Sequence, residues 1–286
     1  MRNPKASKQF AQGEHALSVP QTAILKRLRD EGYATIPLAE LLGSHAEDVV
    51  PSVKQLVDDF IASDFVHNEE RHYQKNYKQL IGKDYVVRYY QRKKERSLSD
   101  PIFKLGLDPA ILEIVNSYAK MNMRYQGNDI WYTIPLAEER PRTTSQNWHR
   151  DYEDELLVKV FLYCNEVGPR TGPFEYVRNS RRGERNHFLP MLANGIIKDG
   201  FYPPESLVQA KIPAADYLTC TCPAYTLLFC DTSGLHRGGF AYDAPRIVST
   251  WTYTTPASLA ERIYTLQDSA VQAKTLNESQ RAAIGL

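Results

Sequence analysis

Trp148-His149-Arg150-Asp151, then Leu156-Leu157-Val158-Lys159-Val160-Phe161-Leu162-Tyr163, and far downstream Leu235-His236-Arg237-Gly238-Gly239 with Arg246 beyond, are the segments whose reading decides the rest. In an extended strand, residues two apart point to the same side, so His149 and Asp151 face one point while Arg150 faces away. The run Thr226-Leu227-Leu228-Phe229-Cys230 has the length and apolar character of a strand, and it carries His236 in from a distant part of the sequence. Alone, a His-x-Asp pair or a histidine after a strand is more often structural than metal-binding. The reading rests on their combination.

Two neutral imidazoles and a carboxylate on one face of a metal, with the opposite face open, form the ligand set of non-haem Fe(II) oxygenases. Arg246 adds to this. It opens the strand-like Arg246-Ile247-Val248-Ser249-Thr250-Trp251-Thr252-Tyr253 after a turn containing Gly238, Gly239, Asp243 and Pro245. A hairpin there would set the guanidinium beside the metal-bearing strand, deeper than His236. The planar fork of arginine suits two-point contact with a carboxylate, such as the far end of a metal-bound dicarboxylate. Lys159 is the rival cation; its expected place is the solvent side of its strand, or the rim reached by snorkelling.

These segments, together with Thr171-Gly172-Pro173-Phe174-Glu175-Tyr176-Val177, resemble the phytanoyl-CoA dioxygenase family of Fe(II)/2-oxoglutarate-dependent oxygenases. The resemblance covers roughly the second half of the chain. Asp30-Glu31-Gly32-Tyr33-Ala34-Thr35-Ile36-Pro37 also resembles that family's opening helix-to-strand step. It implies a mainly β fold with flanking helices around a double-stranded β-helix (jelly-roll, cupin-like) core. It further implies iron held by His149, Asp151 and His236, 2-oxoglutarate anchored by Arg246, and a co-substrate pocket lined by Trp131 and Phe161. Two departures stand out. Where the family often has Val-Pro-Gly-Ser-His, this chain has Val177-Arg178-Asn179-Ser180-Arg181, and where some members carry a hydroxyl two residues past the second histidine, this chain has Gly238.

With 35 basic against 34 acidic residues in 286, the chain lacks the basic excess of a dedicated nucleic-acid binder. No apolar run is long enough to span a membrane, and the first ten residues lack the apolar core of a secretory signal, so the expected location is cytoplasmic. The four cysteines, Cys164, Cys220, Cys222 and Cys230, are too few and too strand-embedded for a disulfide framework, and read as buried thiols. The length fits one elaborated domain or two small ones, and the chain reads as one. Its expected parts are a mainly helical support over 1–125, a jelly-roll core over 126–256 with a lid near 178–216, and a tail over 257–286.

Within the support, Pro20-Gln21-Thr22 begins an amphipathic helix ending near Gly32, and Pro51 opens a second helix with Val53, Leu56, Val57, Phe60 and Ile61 at helical spacing. Residues 65–99 interleave tyrosines and cations, among them Tyr73, Tyr77, Arg88, Tyr89, Tyr90, Arg92 and Lys93, and read as a solvated face with cation-π contacts. Asp108-Pro109 gives an N-cap followed by proline at the first helical position. Asp129 to Pro135 reads as the first core strand. The lid carries Arg178, Arg181, Arg182, Arg185, His187, Phe188, Met191 and Phe201, and its arginines Arg178, Arg181 and Arg182 suggest an anionic group on the substrate. The tail after Pro256, with Leu259, Ala260, Ile263 and Tyr264, reads as helical.

The expected function is therefore Fe(II)/2-oxoglutarate-dependent oxidation, hydroxylation above all, of an unactivated C–H bond in a small, anionic molecule, with Fe(II), 2-oxoglutarate and O2 as cofactors. A carboxylate at position 151 disfavours radical halogenation, which needs that position vacant. A monomer or homodimer without nucleic-acid partners is expected. Two alternatives stay open: a zinc hydrolase using the same ligands, and a jelly roll that only binds its ligand.

Overall fold

The computed structural model describes residues 3–13, 15–80, 82–90, 94–138, 140–187, 202–267 and 272–286. Its strands in chain order are β1 (Tyr33–Pro37), β2 (Val86–Arg88), β3 (Glu95–Arg96), β4 (Arg124–Thr133), β5 (Leu157–Tyr163), β6 (Phe174–Val177), β7 (Tyr217–Cys220), β8 (Thr226–Asp231), β9 (His236–Gly238), β10 (Arg246–Thr254) and β11 (Thr265–Leu266). Side-chain alternation along β5 sets the layering. Val158, Val160 and Leu162 go to one apolar core, Phe161 and Tyr163 to another, and Lys159 shares the face of the latter pair.

β5 lies within a six-stranded sheet of order β1-β8-β5-β10-β4-β2, paired antiparallel throughout. A smaller antiparallel sheet, β7-β6-β9, is extended at its edge by the bridge of His149 to His236. The two sheets enclose Phe161, Tyr163, Leu228, Cys230 and Val248 from the large one and Phe174 and Tyr176 from the small one. Sheet on sheet, wound from strands distant in sequence, this is a jelly-roll core. The pair β3 and β11 stands apart as a short parallel ribbon.

The opposite face of the large sheet needs a cover, and the helices supply it. Ile24 and Leu28 of the helix Val19–Glu31, Val53, Val57 and Phe60 of Ala46–Ile61, and Ile111, Leu112, Ile114 and Val115 of Pro109–Ala119 join Val158, Val160, Leu162, Leu227, Phe229, Trp251 and Tyr253 in one core. Fully burying each such side chain contributes about 1.5–3 kcal/mol. The polar tips of the two large aromatics are satisfied: Trp251 Nε1 donates to the Ile102 carbonyl at 2.8 Å and the Tyr253 hydroxyl to that of Gly106 at 2.6 Å.

Local rules account for the helix ends. Ser18 and Gln21 form a reciprocal capping box, and Gly32 ends that helix in the left-handed region at φ 84°. The Asp108 carboxylate accepts the Ala110 N–H, with Pro109 at the first position, as the sequence suggests. The helix expected to open at Pro51 instead opens at Ala46, with Glu47 and Asp48 in its first turn, and tolerates Pro51 inside. Acidic residues favour that earlier start because they face the positive end of the helix dipole. β4 likewise begins before Asp129, at Arg124.

Residues 65–99 are a solvated face in part, with cation-π contacts of Lys78 over Tyr77 and Arg96 over Tyr90, and in part core. The first part is the helix Asp64–Asn76, and Tyr73, Tyr85 and Tyr90 are buried in the helical core; Arg92 and Lys93 lie outside the described residues. The tail corrects the sequence reading too: no helix forms over 257–264. Ile263 donates its N–H to Gln126 O at 3.0 Å, Thr265 to Lys94 O at 2.9 Å, and the Tyr264 ring packs against Phe103. Pairing with strand edges and a core slot for Tyr264 outweigh helical propensity here; the helix comes later, at Glu278–Ile284. The described cysteines are free thiols, three of them buried. No described helix is long and apolar enough to cross a membrane.

Tyr176 ties the two layers at their edge. It is fully buried, donates its hydroxyl to the Asp231 carbonyl at 3.2 Å, and fills space where a β-carbon at Gly32 or Gly234 would stand. Gly32→Ala should therefore lose about 2 kcal/mol, from the positive φ and from overlap with the phenol. Chemical denaturation is the check: adding Tyr176→Phe to Gly32→Ala should recover part of the loss, and strict additivity of the two changes would show that this contact does not constrain the fold.

Candidate metal centre

His149 and His236 exchange both backbone hydrogen bonds, His149 N–H to His236 O and His236 N–H to His149 O, each 2.9 Å. Directly opposed residues in such a pair project their side chains to the same side. Their rings accordingly lie 4.3 Å apart between centroids. Two residues on, Asp151 donates its N–H to Thr232 O at 3.0 Å, while Arg150 turns away towards Ser233. Asp151 Oδ1 lies 3.9 Å from His149 Nε2, and Oδ2 lies 3.5 Å from His236 Nε2. One ligand atom from each of the three residues falls within 4.8 Å of the others.

The donor set fits a metal. Each imidazole has its Nδ1 fixed on a backbone carbonyl, His149 on Asn147 at 2.8 Å and His236 on Gly234 at 2.9 Å, so each presents Nε2 to the centre. Phe174 stacks on His236 with ring centroids 5.5 Å apart. Burial pushes the His236 imidazolium down to about 3, and His149 adds to that effect; burial also lowers His149. Burial alone would raise the Asp151 carboxyl, but Lys159, His236 and His149 together hold it below the usual carboxylate range. Neutral imidazoles and an ionised carboxylate are the forms that bind metal.

Lys159 does not face solvent. Its Nζ lies 2.7 Å from Asp151 Oδ2 and 3.4 Å from Glu153 Oε1, and its side chain is 13 % exposed. The alternation of β5 places it on the inner face with Phe161 and Tyr163, and two carboxylates more than offset the burial of its charge.

The hairpin expected to carry Arg246 is also absent. β9 pairs with β6 in the small sheet and β10 with β4 and β5 in the large one, so Arg246 comes to the centre from the facing sheet. The connection between them crosses from one layer to the other, which a jelly roll requires and a hairpin does not. The guanidinium is buried, donates to the Gly172 carbonyl and, at 3.4 Å, to Thr133 Oγ1, and leaves its Nε without a partner. Among the described residues no carboxylate pairs with it. Gly238 keeps the space over it open, a β-carbon there reaching ordinary contact with Nη2 at 3.4 Å.

Ligand atoms and guanidinium line one cavity, with Trp131, Phe161, Ser145 and Lys83 in its wall. It encloses about 530 Å³ of space, part of it open to solvent. The indole Nε1 of Trp131 is buried without a partner. Lys83 escaped sequence analysis. Its Nζ stands 4.1 Å over the Trp131 ring and has no carboxylate partner among the described residues; burial, with Lys159 and Arg88, lowers its pKa to about 8. Nothing in Gly82-Lys83-Asp84 marks this lysine, because β2 and β4 alone determine where that turn points.

The lid arginines have protein partners. Arg181 donates to Leu28 O, Arg29 O, the Tyr118 hydroxyl and Glu184, Arg178 lies 3.1 Å from Glu31, and Arg182, 81 % exposed, lies 3.8 Å from Glu155. Arg181 is thus fixed on the helical layer, not aimed at the cavity. Residues 188–201, with Phe188, Met191 and Phe201, lie outside the described residues. The turn after β6, lacking Pro and Gly, is made by Asn179 at φ 55°, and the Ser180 hydroxyl accepts the Leu235 N–H beside His236.

No protein-family profile matches the sequence, and no curated protein matches it. Solved structures do share its fold. SnoN, described as an epimerase from nogalamycin biosynthesis in complex with Fe3+, alpha ketoglutarate and nogalamycin RO, aligns at TM-score 0.52 and 14% identity over 85% of this chain and 87% of its own. AviO1 from Streptomyces viridochromogenes Tue57 aligns at 0.54 and 16% over 85% and 98%. EctD from S. alaskensis, with 2-oxoglutarate and 5-hydroxyectoine, aligns at 0.52 and 13% over 89% and 83%. At such identities the likeness is one of fold: a jelly-roll core with flanking helices.

The buried imidazole gives a pH signature. The ordinary histidine value of 6.5 falls to about 3 for His236, so on acidification the unfolded chain takes up a proton before the folded one. That contribution is complete above pH 6.5 and is lost as pH falls towards 3. Denaturant midpoints of metal-free protein should decline across that window, and His236→Leu should flatten the decline; parallel curves would contradict this assignment.

Proposed function

We propose that the protein is an Fe(II)/2-oxoglutarate-dependent dioxygenase, related to the phytanoyl-CoA dioxygenases, that hydroxylates an unactivated C–H bond of a small molecule. One observation carries this reading. A buried guanidinium without a carboxylate partner, Arg246, faces the same cavity as His149, Asp151 and His236. Burying a charge without a partner is costly, so the site is built for an anion beside a metal. The neighbouring folds recorded with iron and alpha ketoglutarate or with 2-oxoglutarate support the same choice.

Bound together, iron, 2-oxoglutarate and O2 supply an oxidant able to attack a C–H bond, with succinate and carbon dioxide as co-products. His149, Asp151 and His236 would hold the metal, with the cavity side left for co-substrate and O2. Arg246 takes the distal carboxylate of the keto acid through its fork. Lys83 offers a second cation without a carboxylate partner among the described residues, which would add to the attraction for a dianionic co-substrate. Trp131 and Phe161 wall the pocket and restrict water. The small molecule would approach from the open side of that cavity.

A zinc hydrolase would leave Arg246 without a function, and a binding-only module would show no turnover. Anaerobic addition of Fe(II) and 2-oxoglutarate should produce a charge-transfer absorption at roughly 500 nm; its absence removes the oxygenase reading. Arg246→Met should raise the half-saturating 2-oxoglutarate concentration about tenfold or more, the loss of a charge-assisted contact. Asp151→Ala should abolish succinate formation, and retained turnover would exclude Asp151 as a metal ligand.

A further inference from the structure

Lys159 stands in an interior strand of the large sheet, between Cys230 of β8 and Thr252 of β10, and points inward. A lysine at such a place carries the full cost of burial, which an apolar residue would avoid. Its two contacts identify what it does. The ammonium lies 2.7 Å from Oδ2 of Asp151 and 3.4 Å from Oε1 of Glu153, with the Asp151 backbone held by its N–H on Thr232 O. Oδ1 of that carboxylate faces His149 Nε2 at 3.9 Å and Oδ2 lies 3.5 Å from His236 Nε2, so both oxygens stand within reach of the centre and Lys159 competes for one of them. Among the described residues no group hydrogen-bonds to Oδ2, and the Lys159 ammonium is the cation in ion-pair contact with it.

We propose that Lys159 is a positioning residue that occupies Oδ2 of Asp151, so that the carboxylate presents Oδ1 alone to the metal. This rests on the oxygenase reading above and adds to it the reason for a buried cation beside a metal ligand. An octahedral ion has six positions. A carboxylate binding through both oxygens would, with two imidazoles, take four; a keto acid chelating through two atoms would then fill the site and leave none for O2. With one oxygen held by Lys159, three protein atoms and two keto-acid atoms leave one position open. Glu153 balances the charge of Lys159, so the clamp adds no net repulsion towards a divalent cation.

Co(II) serves as a redox-stable probe. In a crystal structure of the wild-type protein loaded with Co(II), one Asp151 oxygen should lie on the metal and the other on Lys159 Nζ; both oxygens on the metal, or Lys159 turned away, overturns the proposal. Lys159→Met keeps the length of the side chain and removes its charge. It should weaken Co(II) binding about tenfold or more, as loss of an outer-sphere partner does, and change the visible Co(II) spectrum as the second carboxylate oxygen replaces a solvent ligand. Lys159→Arg should restore the wild-type spectrum. A purely structural ion pair would lower stability and leave the spectrum of the folded, metal-loaded Lys159→Met protein as in wild type, and that result overturns the proposal while sparing the metal reading. If the wild-type protein takes up no Co(II), the metal reading fails and takes this inference with it. Should Lys159→Met not fold, the wild-type crystal structure decides alone.

Discussion

A single pair of residues exchanging two backbone hydrogen bonds is the constraint on which the centre depends. His149 and His236 are each other's donor and acceptor at 2.9 Å, and the pairing brings together segments separated by most of the jelly roll. Opposed residues in such a pair cannot point their side chains to different faces. Once that register is set, Asp151 follows two residues along and the turn at Asp231 to Gly234 supplies both its backbone acceptor, Thr232 O, and the carbonyl that orients the His236 ring. A slip of either strand by one residue would turn its imidazole to the outside.

The large sheet divides labour between its faces. Outward residues of β5, β8 and β10 pack on helices in the larger apolar core; inward residues of the same strands include Lys159, Phe161, Arg246 and Val248, which line the cavity. Chemistry and stability therefore alternate along the same strands. The inner face holds cations in surplus, with Lys159 answered by Asp151 and Glu153, and Arg246 and Lys83 left for a ligand. That imbalance, more than any single residue, points to an anionic co-substrate.

The helical layer reaches the centre through a chain of polar contacts. Arg181 fixes the segment after β6 on Leu28 O and the Tyr118 hydroxyl, and Tyr118 donates at 2.5 Å to Asp231, the residue that opens the turn beneath His236. Burial holds the Asp231 carboxyl above its ordinary range, and Ser233, Tyr118 and Arg181 oppose that rise. On the other side, Arg237 stacks over Trp148 at 4.2 Å and reaches Glu175 and Glu205, joining the strand of His236 to the returning limb of the lid segment. Arginines that suggested substrate contact in the sequence are thus, in the main, parts of the frame.

Sequence alone determined what depends on short-range periodicity and on residue type. The i, i+2 spacing of His149 and Asp151, the strand preceding His236, the Asp108-Pro109 cap and the alternation of β5 are local properties of the chain, and the metal-ligating types announce themselves by their chemistry. It also supplied the resemblance that singled out Arg246, Trp131 and Phe161, all of which line the same cavity as His149, Asp151 and His236. What it could not carry was the assignment of strands to sheets. Which face of β5 meets the second sheet decides whether Lys159 is solvated or clamped on Asp151, and that depends on pairing with β8 and β10, far away in sequence. The same holds for the missing hairpin between β9 and β10, for the irregular tail whose Tyr264 fills a core slot, and for Lys83, an unmarked lysine in a turn that only the packed fold directs over Trp131. Non-local pairing is set by burial summed over the whole domain, and no window of sequence contains that sum.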